Sequence, residues 1–378
     1  GDVGKLPMLV DQVAELDFDW HQAIQIFRDD WNASETSWEF EQSPLLGNES
    51  CDSTLAAAYE NLRSTYEAAV SNAVRMEREN NRVFISAYGL EDEVELEPVL
   101  SNVTLDCNPH HRYGSDKSES ELEALLLADT MREFISYAVG CMLGRYSLDK
   151  PGLILANQGE TADDYRQQIP EPTFAPDEDN VIPLLDGDWF TDDISERFKE
   201  FLKVTFGTEH YEENLTFLEN ALYPDNLTGK KRKTIRDYFL KEFYNHHIKL
   251  YKKRPIYWLF SSPKGTFNAL IYMHRYRPDT VSVVLNDYLR EYQTKLNANV
   301  THLQTVADSA SGSQADKAKA VKDIAKLKKD LKELEDYERD VLYPLATQRL
   351  EIDLDDGVVA NYNKFGKALK KITGLTGK

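Results

Sequence analysis

The stretch 229–277, GKKRKTIRDYFLKEFYNHHIKLYKKRPIYWLFSSPKGTFNALIYMHRYR, interleaves cations with aromatic rings, the mixture of side chains that grips nucleic acid. Lys230, Lys231, Arg232, Lys233 and Arg236 crowd the start of a helix predicted there, and Lys249, Lys252, Lys253 and Arg254 crowd its end. Cations at the two ends of one helix can each neutralise a phosphate, and every phosphate neutralised steepens the salt dependence of binding by about 0.9. Ser261, Ser262, Lys264, Asn268, His274, Arg275 and Arg277 surround a predicted hairpin, and serine, asparagine, lysine and arginine are side chains that read base edges. The bland alternative is a solvated basic helix over a hairpin whose Tyr257, Trp258, Phe260, Phe267 and Tyr272 are simply core. The residues by themselves leave both readings open.

Other chemistry finds less support. Gly1-Asp2-Val3-Gly4-Lys5 is too short for a phosphate-binding loop, and Asp330-Leu331-Lys332 has nuclease-like spacing but sits on a charged helix without a strand or a partner acid. The pairs His110-His111 and His246-His247 point about 100° apart on a helix, which makes a shared metal awkward. No metal, cofactor or catalytic residue is therefore assigned to this chain. Cys51, Cys107 and Cys141 are far apart and odd in number, which fits structural thiols in a reducing cytoplasm. No apolar run approaches the roughly 18 residues of a membrane span, and a start at Gly1-Asp2 looks like that of an excised fragment or a processed product.

A net charge of -21 argues against a polyanionic partner only if the charge is evenly spread. It is not. Residues 163–222 hold sixteen acidic and four basic side chains, whereas 229–254 hold ten basic and two acidic. Fields are screened beyond about 8–10 Å, so a basic face can exist on an acidic protein.

With 41% hydrophobic residues the chain can bury a sizeable core, and the elements that would position these cations read as mainly α with small α+β parts. Helices are predicted at 17–28, from Asp52 or Ser53 through the stripe Leu55, Ala58, Tyr59, Leu62, Tyr66, Ala69, Val70 and Ala73, and at 120–142. Together they make a helical connector over 1–150. Residues 151–190, rich in Pro and Gly, read as an irregular linker. The unit 191–280 holds helices at 194–206, 211–222 and 234–251, then strands at 256–260 and 266–272 turning at 262–265. That order is the order of a winged helix. Over 281–378 the pattern predicts a helical hairpin, 281–292 and 321–342, ended by Pro344, and a final basic amphipathic helix carrying Lys364, Lys367, Lys370 and Lys371.

Several long words carry a resemblance. RPIYWLFSSPKGTFNALIYMHRY at 254–276, RVFISAYGLEDE at 82–93, YAVGCMLGRYSLD at 137–149 with PGL at 151–153, and DLDDGV at 353–358 with Asn361, Tyr362 and Phe365 occur in that family's order. The chain resembles the C-terminal region of the PglX family, the adenine-specific DNA methyltransferases of the BREX phage-defence system. What the resemblance implies is a restriction-modification-like enzyme whose upstream part binds S-adenosylmethionine and methylates adenine N6. The downstream part would recognise double-stranded DNA. The target adenine must leave the stack, so that part would have to hold a distorted duplex. The implied partners are DNA, other proteins of the defence system and phage proteins that mimic DNA. The competing expectation is a scaffold that docks those proteins. Asn108-Pro109-His110-His111 lacks the second proline and the aromatic of a base-holding N-P-P-Y loop and reads as a turn.

Overall fold

In the computed structural model the chain is described over residues 20–47, 54–229, 232–309 and 313–375. It falls into two compact units, one of 1–134 with 216–224, the other of 135–215 with 225–378. The segment 151–190 belongs to the second unit and does not link units. It carries a short helix and a strand, and it buries Leu155, Tyr165, Phe174 and Val181.

The first unit is built on α1 (Trp20–Asn32) and the long α2 (Leu55–Tyr88). Thr54 caps α2 by accepting from the Ala57 amide at 3.2 Å. Gly89, in the left-handed conformation at φ 64°, closes it by donating to Ile85 and Ser86. The predicted starts at Asp52 and Ser53, and Cys51, lie outside the described residues. Ala73 packs with Val103, Leu105 and Cys107, flanked by Ile26, Phe27, Tyr66 and Val70. Asp30 holds that strip by accepting from the Asp106 and Cys107 amides at 2.7 and 2.9 Å. Asn108, fully buried, caps the short α3 (Pro109–Tyr113) and donates to two carbonyls, so the segment expected to be a turn opens a short helix. Helix α4 (Glu119–Met142) follows.

In the second unit come α5 (Ala162–Gln168), β1 (Ile182–Pro183), α6 (Ile194–Phe206) and α7 (Tyr211–Leu222), the last shared between the units. Helix α8 runs over 235–250 with a π turn at Phe239–Phe243. Strands β2 (Tyr257–Ser261) and β3 (Asn268–Tyr272) pair antiparallel with Leu259 opposite Leu270, and β1 joins the far side of β3. The other edge of β2 is closed by the chain's end: Ser261 donates to Ala368 at 3.0 Å and Lys370 donates to Leu259 at 2.8 Å. With both edges occupied and every residue of β2 buried, the hairpin is the centre of the core and not an exposed wing. Tyr257, Trp258, Phe260, Phe267 and Tyr272 are all at 0% exposure.

Helices α9 (280–308) and α10 (314–348) form the antiparallel pair, each with a π turn, at Val284–Leu289 and Glu338–Leu342. The second π turn explains why Pro344 does not end α10. Proline lacks the amide an α-helix needs and crowds the carbonyl four residues back, and the wider turn before it relieves both demands. The predicted closing helix is also shorter than its charge pattern implied. Helix α11 (Gly357–Lys364) stops at Phe365, Gly366 follows at φ 55° in a turn that also holds Lys367, and Lys370 and Lys371 ride on the segment against β2. Those lysines are set by strand pairing, which outweighs helical periodicity.

Gly140 marks the tightest packing in this core: a Cβ there would stand 2.4 Å from the ring of Tyr146, which is itself buried. Gly140→Ala should therefore lower the unfolding free energy by about 1–3 kcal/mol through overpacking. The check is a urea titration, in which an unchanged midpoint would contradict this packing.

Candidate nucleic-acid interface

The predicted cations divide by what they touch. Lys230 and Lys231 lie outside the described residues. Arg232 and Lys233 are exposed, and the Lys233 backbone is tied to Asn226 in both directions, at 2.8 and 2.9 Å. Lys252 and Lys253 end α8 in the left-handed conformation, φ 50° and 66°, which turns them and Arg254 outward. Lys264 is exposed on the hairpin turn. Arg277 is exposed beside Asp279 at 3.3 Å.

Other predicted residues are committed to the fold. Arg236 is mostly buried, donates to the Leu185 and Gly187 carbonyls, and pairs with Asp188 at 2.5 Å and Asp193 at 3.0 Å. Arg275, only 3% exposed, donates to the carbonyls of Leu143, Asp177 and Glu178, and burial holds its pKa below the usual arginine value. Ser262 accepts from the Phe267 amide at 3.0 Å, and Asn268 donates to Gly265 at 2.8 Å, so both close the turn. Ser261 is buried with its hydroxyl on the Ser262 carbonyl. His274 packs on Tyr272, and burial together with the Arg145 charge pushes its pKa down to about 4. The neighbouring His247 is pushed to about 3 by the same two causes. Its neutral Nε2 accepts from the Tyr257 amide at 3.1 Å and pins α8 to the hairpin. Arg236, Ser261, Ser262 and Arg275 thus spend their polar groups inside the protein, because a buried hairpin needs its carbonyls and amides satisfied. Among the described residues no three His, Cys, Asp or Glu side chains come together to hold a metal ion.

The residues that do converge come from four distant segments. On one side of the hairpin turn, a cleft of about 180 Å³ is floored by Phe239, Tyr244 and Leu259 and rimmed by Lys241, Asn245, Lys264, Asn268 and Lys370. On the other side, a wider cleft of about 610 Å³ carries Lys264, Lys328, Lys329, Lys332 and Lys367. Lys264 belongs to both. Its own amide donates to the buried carboxylate of Glu333 at 2.9 Å, which locks the turn to α10. Tyr337 donates to the Ala368 carbonyl at 2.7 Å and Tyr362 to that of Lys370 at 2.6 Å, fixing the segment that carries Lys367 and Lys370.

Asp336 and Asp340 also line the wider cleft, but they are engaged by Lys332 and Arg339. Lys264, Lys328, Lys329, Lys367 and Lys370 make no ion pair with another described residue. Five uncompensated ammonium groups around two clefts suit a row of phosphates, and the exposed amide of Asn245 on the smaller cleft suits an adenine edge. The arrangement offers binding chemistry and no nucleophile with its base.

Sequence reading missed Lys241, Asn245, Lys328, Lys329 and Lys332 in this site, and had placed Lys367 and Lys370 on a helix apart from it. No local run joins them. The lysine-rich stretches 317–332 and 364–371 were the available signal.

No family model matches the chain. Two curated proteins do, along essentially all of it. It is 37% identical over 385 residues to the adenine-specific methyltransferase BrxX of Escherichia coli O9:H4 (strain HS), covering 100% of this chain and 31% of that protein. Along its whole length the chain is similar to one part of an adenine-specific methyltransferase. It is also 36% identical over 386 residues to the adenine-specific methyltransferase PglX of Lacticaseibacillus casei (strain Zhang), covering 99% of this chain and 30% of that protein. The chain thus spans about a third of the length of these relatives.

Glu333→Ala removes the acceptor that holds the Lys264 amide and should cost about 1–3 kcal/mol of stability, while Glu333→Gln keeps an acceptor oxygen and most of that stability. Urea midpoints decide it: an alanine variant as stable as the unaltered protein would mean that this clamp does not hold the turn.

Proposed function

We propose that this chain is the duplex-gripping, target-recognising portion of a BREX-type adenine-N6 DNA methyltransferase in phage defence. The observation that carries the reading is the meeting of unpaired lysines from the hairpin turn, α10 and the C-terminal segment on two clefts that share Lys264. Three of the predicted residues enter the proposed face on their exposure: Lys264 at the clefts, and Arg232 and Lys233 leading into α8. Lys252, Lys253 and Arg254 form a further basic turn at the other end of that helix. The bound class is double-stranded DNA. An acidic protein that imitates DNA would compete for the same lysines, and no helix among the described residues is long and apolar enough to cross a membrane.

The methyl transfer is assigned to the remainder of the enzyme. S-adenosylmethionine would supply the methyl group there. The residues described in this chain do not fit that cofactor: their sheet is antiparallel throughout, and no strand runs through a glycine-rich turn into a helix. What this chain contributes is position. Phosphates held at fixed points on either side of Lys264 keep the duplex in register while one adenine leaves the stack.

The test is duplex binding by the intact protein carrying Lys264→Gln, Lys367→Gln and Lys370→Gln together. The slope of log affinity against log salt should flatten by about 2.7, roughly 0.9 for each lost phosphate contact, with affinity falling about tenfold or more near 0.1 M salt. Unchanged slope and affinity would sink the proposal for this face.

A further inference from the structure

We propose that α10 carries a second backbone contact, a rail of lysines that holds duplex DNA outside the recognised site. This inference rests on the reading of the Lys264 face as a DNA interface. Lys319, Lys322, Lys326 and Lys329 are spaced by three, four and three residues, which puts them on one face of the helix. All four are exposed, and none makes an ion pair with another described residue. The opposite face of α10 is spent on the helical pair, where Ala320, Leu331 and Leu334 are buried.

The charge balance of the stretch is not that of an ordinary solvated helix. Residues 314–331 contain six lysines and three aspartates. The aspartates, Asp316, Asp323 and Asp330, recur every seven residues, three or four positions from Lys319 and Lys326, yet none forms an ion pair with these lysines. A row of like charges along one helix face destabilises that face unless an anion meets it. Two features select DNA over a protein partner. First, the row is continuous with the interface, because Lys329 is both its last member and a wall of the wider cleft. Second, the exposed neighbours Ala315, Ala318 and Ala325 are small, so the strip is flat and lacks the buried aromatic or arginine anchors that give protein interfaces their affinity.

The dimensions also agree. Ten residues of helix rise about 15 Å. Duplex DNA carries about one charge per 1.7 Å of its axis, so the rail lies along roughly four or five base pairs.

The experiment compares two duplexes, one limited to the target motif and one lengthened on both sides of it, with the intact protein and a variant carrying K319Q, K322Q and K326Q, which leaves Lys329 in the wider cleft. Glutamine has nearly the helix propensity of lysine, so the fold should be kept. The unaltered protein should gain affinity on the longer duplex, with a salt slope steeper by about 2.7, and the variant should lose that gain while binding the short duplex as before. A variant that keeps the full gain overturns the rail. So does one that keeps it while losing capture of an acidic protein, which would make the strip a protein dock. If the unaltered protein binds neither duplex, the reading of the Lys264 face falls too, and the two failures are thereby told apart.

Discussion

The Lys264 amide and the buried Glu333 carboxylate meet at 2.9 Å, and much of the site's geometry follows from that contact. A hairpin turn in water would be free to sample many positions. Here the turn is closed from within by Ser262 and Asn268 and bound from without by a side chain of α10. Burial makes the contact costly to break, because a carboxylate away from water has few other donors to turn to. The chain's last segment is added by strand pairing on β2, so lysines more than one hundred residues from Lys264 in sequence arrive beside it without being held by contacts among themselves.

Charge segregation then lets a chain of net charge -21 present a basic face. The acidic middle is partly neutralised inside the fold: Arg236 ties down Asp188 and Asp193, and Arg275 sits against the backbone of 177–178. Two arginines that looked available for DNA are instead consumed in anchoring the acidic segment to the core. The lysines left over stand in a rigid frame, and a rigid array of donors loses little freedom when a phosphate row docks.

Much of the framework was legible in the sequence because it is local. Helices 194–206 and 211–222 and the hairpin turning at 262–265 follow from periodicity and turn residues and agree with the structure, while the helical pair expected at 281–292 and 321–342 is present with arms that run further, over 280–308 and 314–348. The errors have physical causes. Pro344 was expected to stop a helix that a π turn allows to continue, and the helix carrying Lys367 and Lys370 gave way to an edge that β2 needed covered. The segment 151–190 looked like a linker from its prolines, yet Thr161 and Asp164 form a capping box and Ile182 pairs with Leu270, a contact no local pattern announces. Within the site, residue type separated lysine from arginine poorly. Lysines keep their ammonium groups in water, while Arg236 and Arg275 have the forked donors that several backbone carbonyls can share.

The central claim is that this region determines which DNA site its enzyme recognises, and the most direct measurement is an exchange. The region would replace its counterpart in an adenine methyltransferase of different target, and methylated adenines would be mapped across the host genome. The account predicts that the modified motif follows the transplanted region. A folded, active chimera that keeps the motif of the catalytic donor would contradict it and place recognition elsewhere in the enzyme.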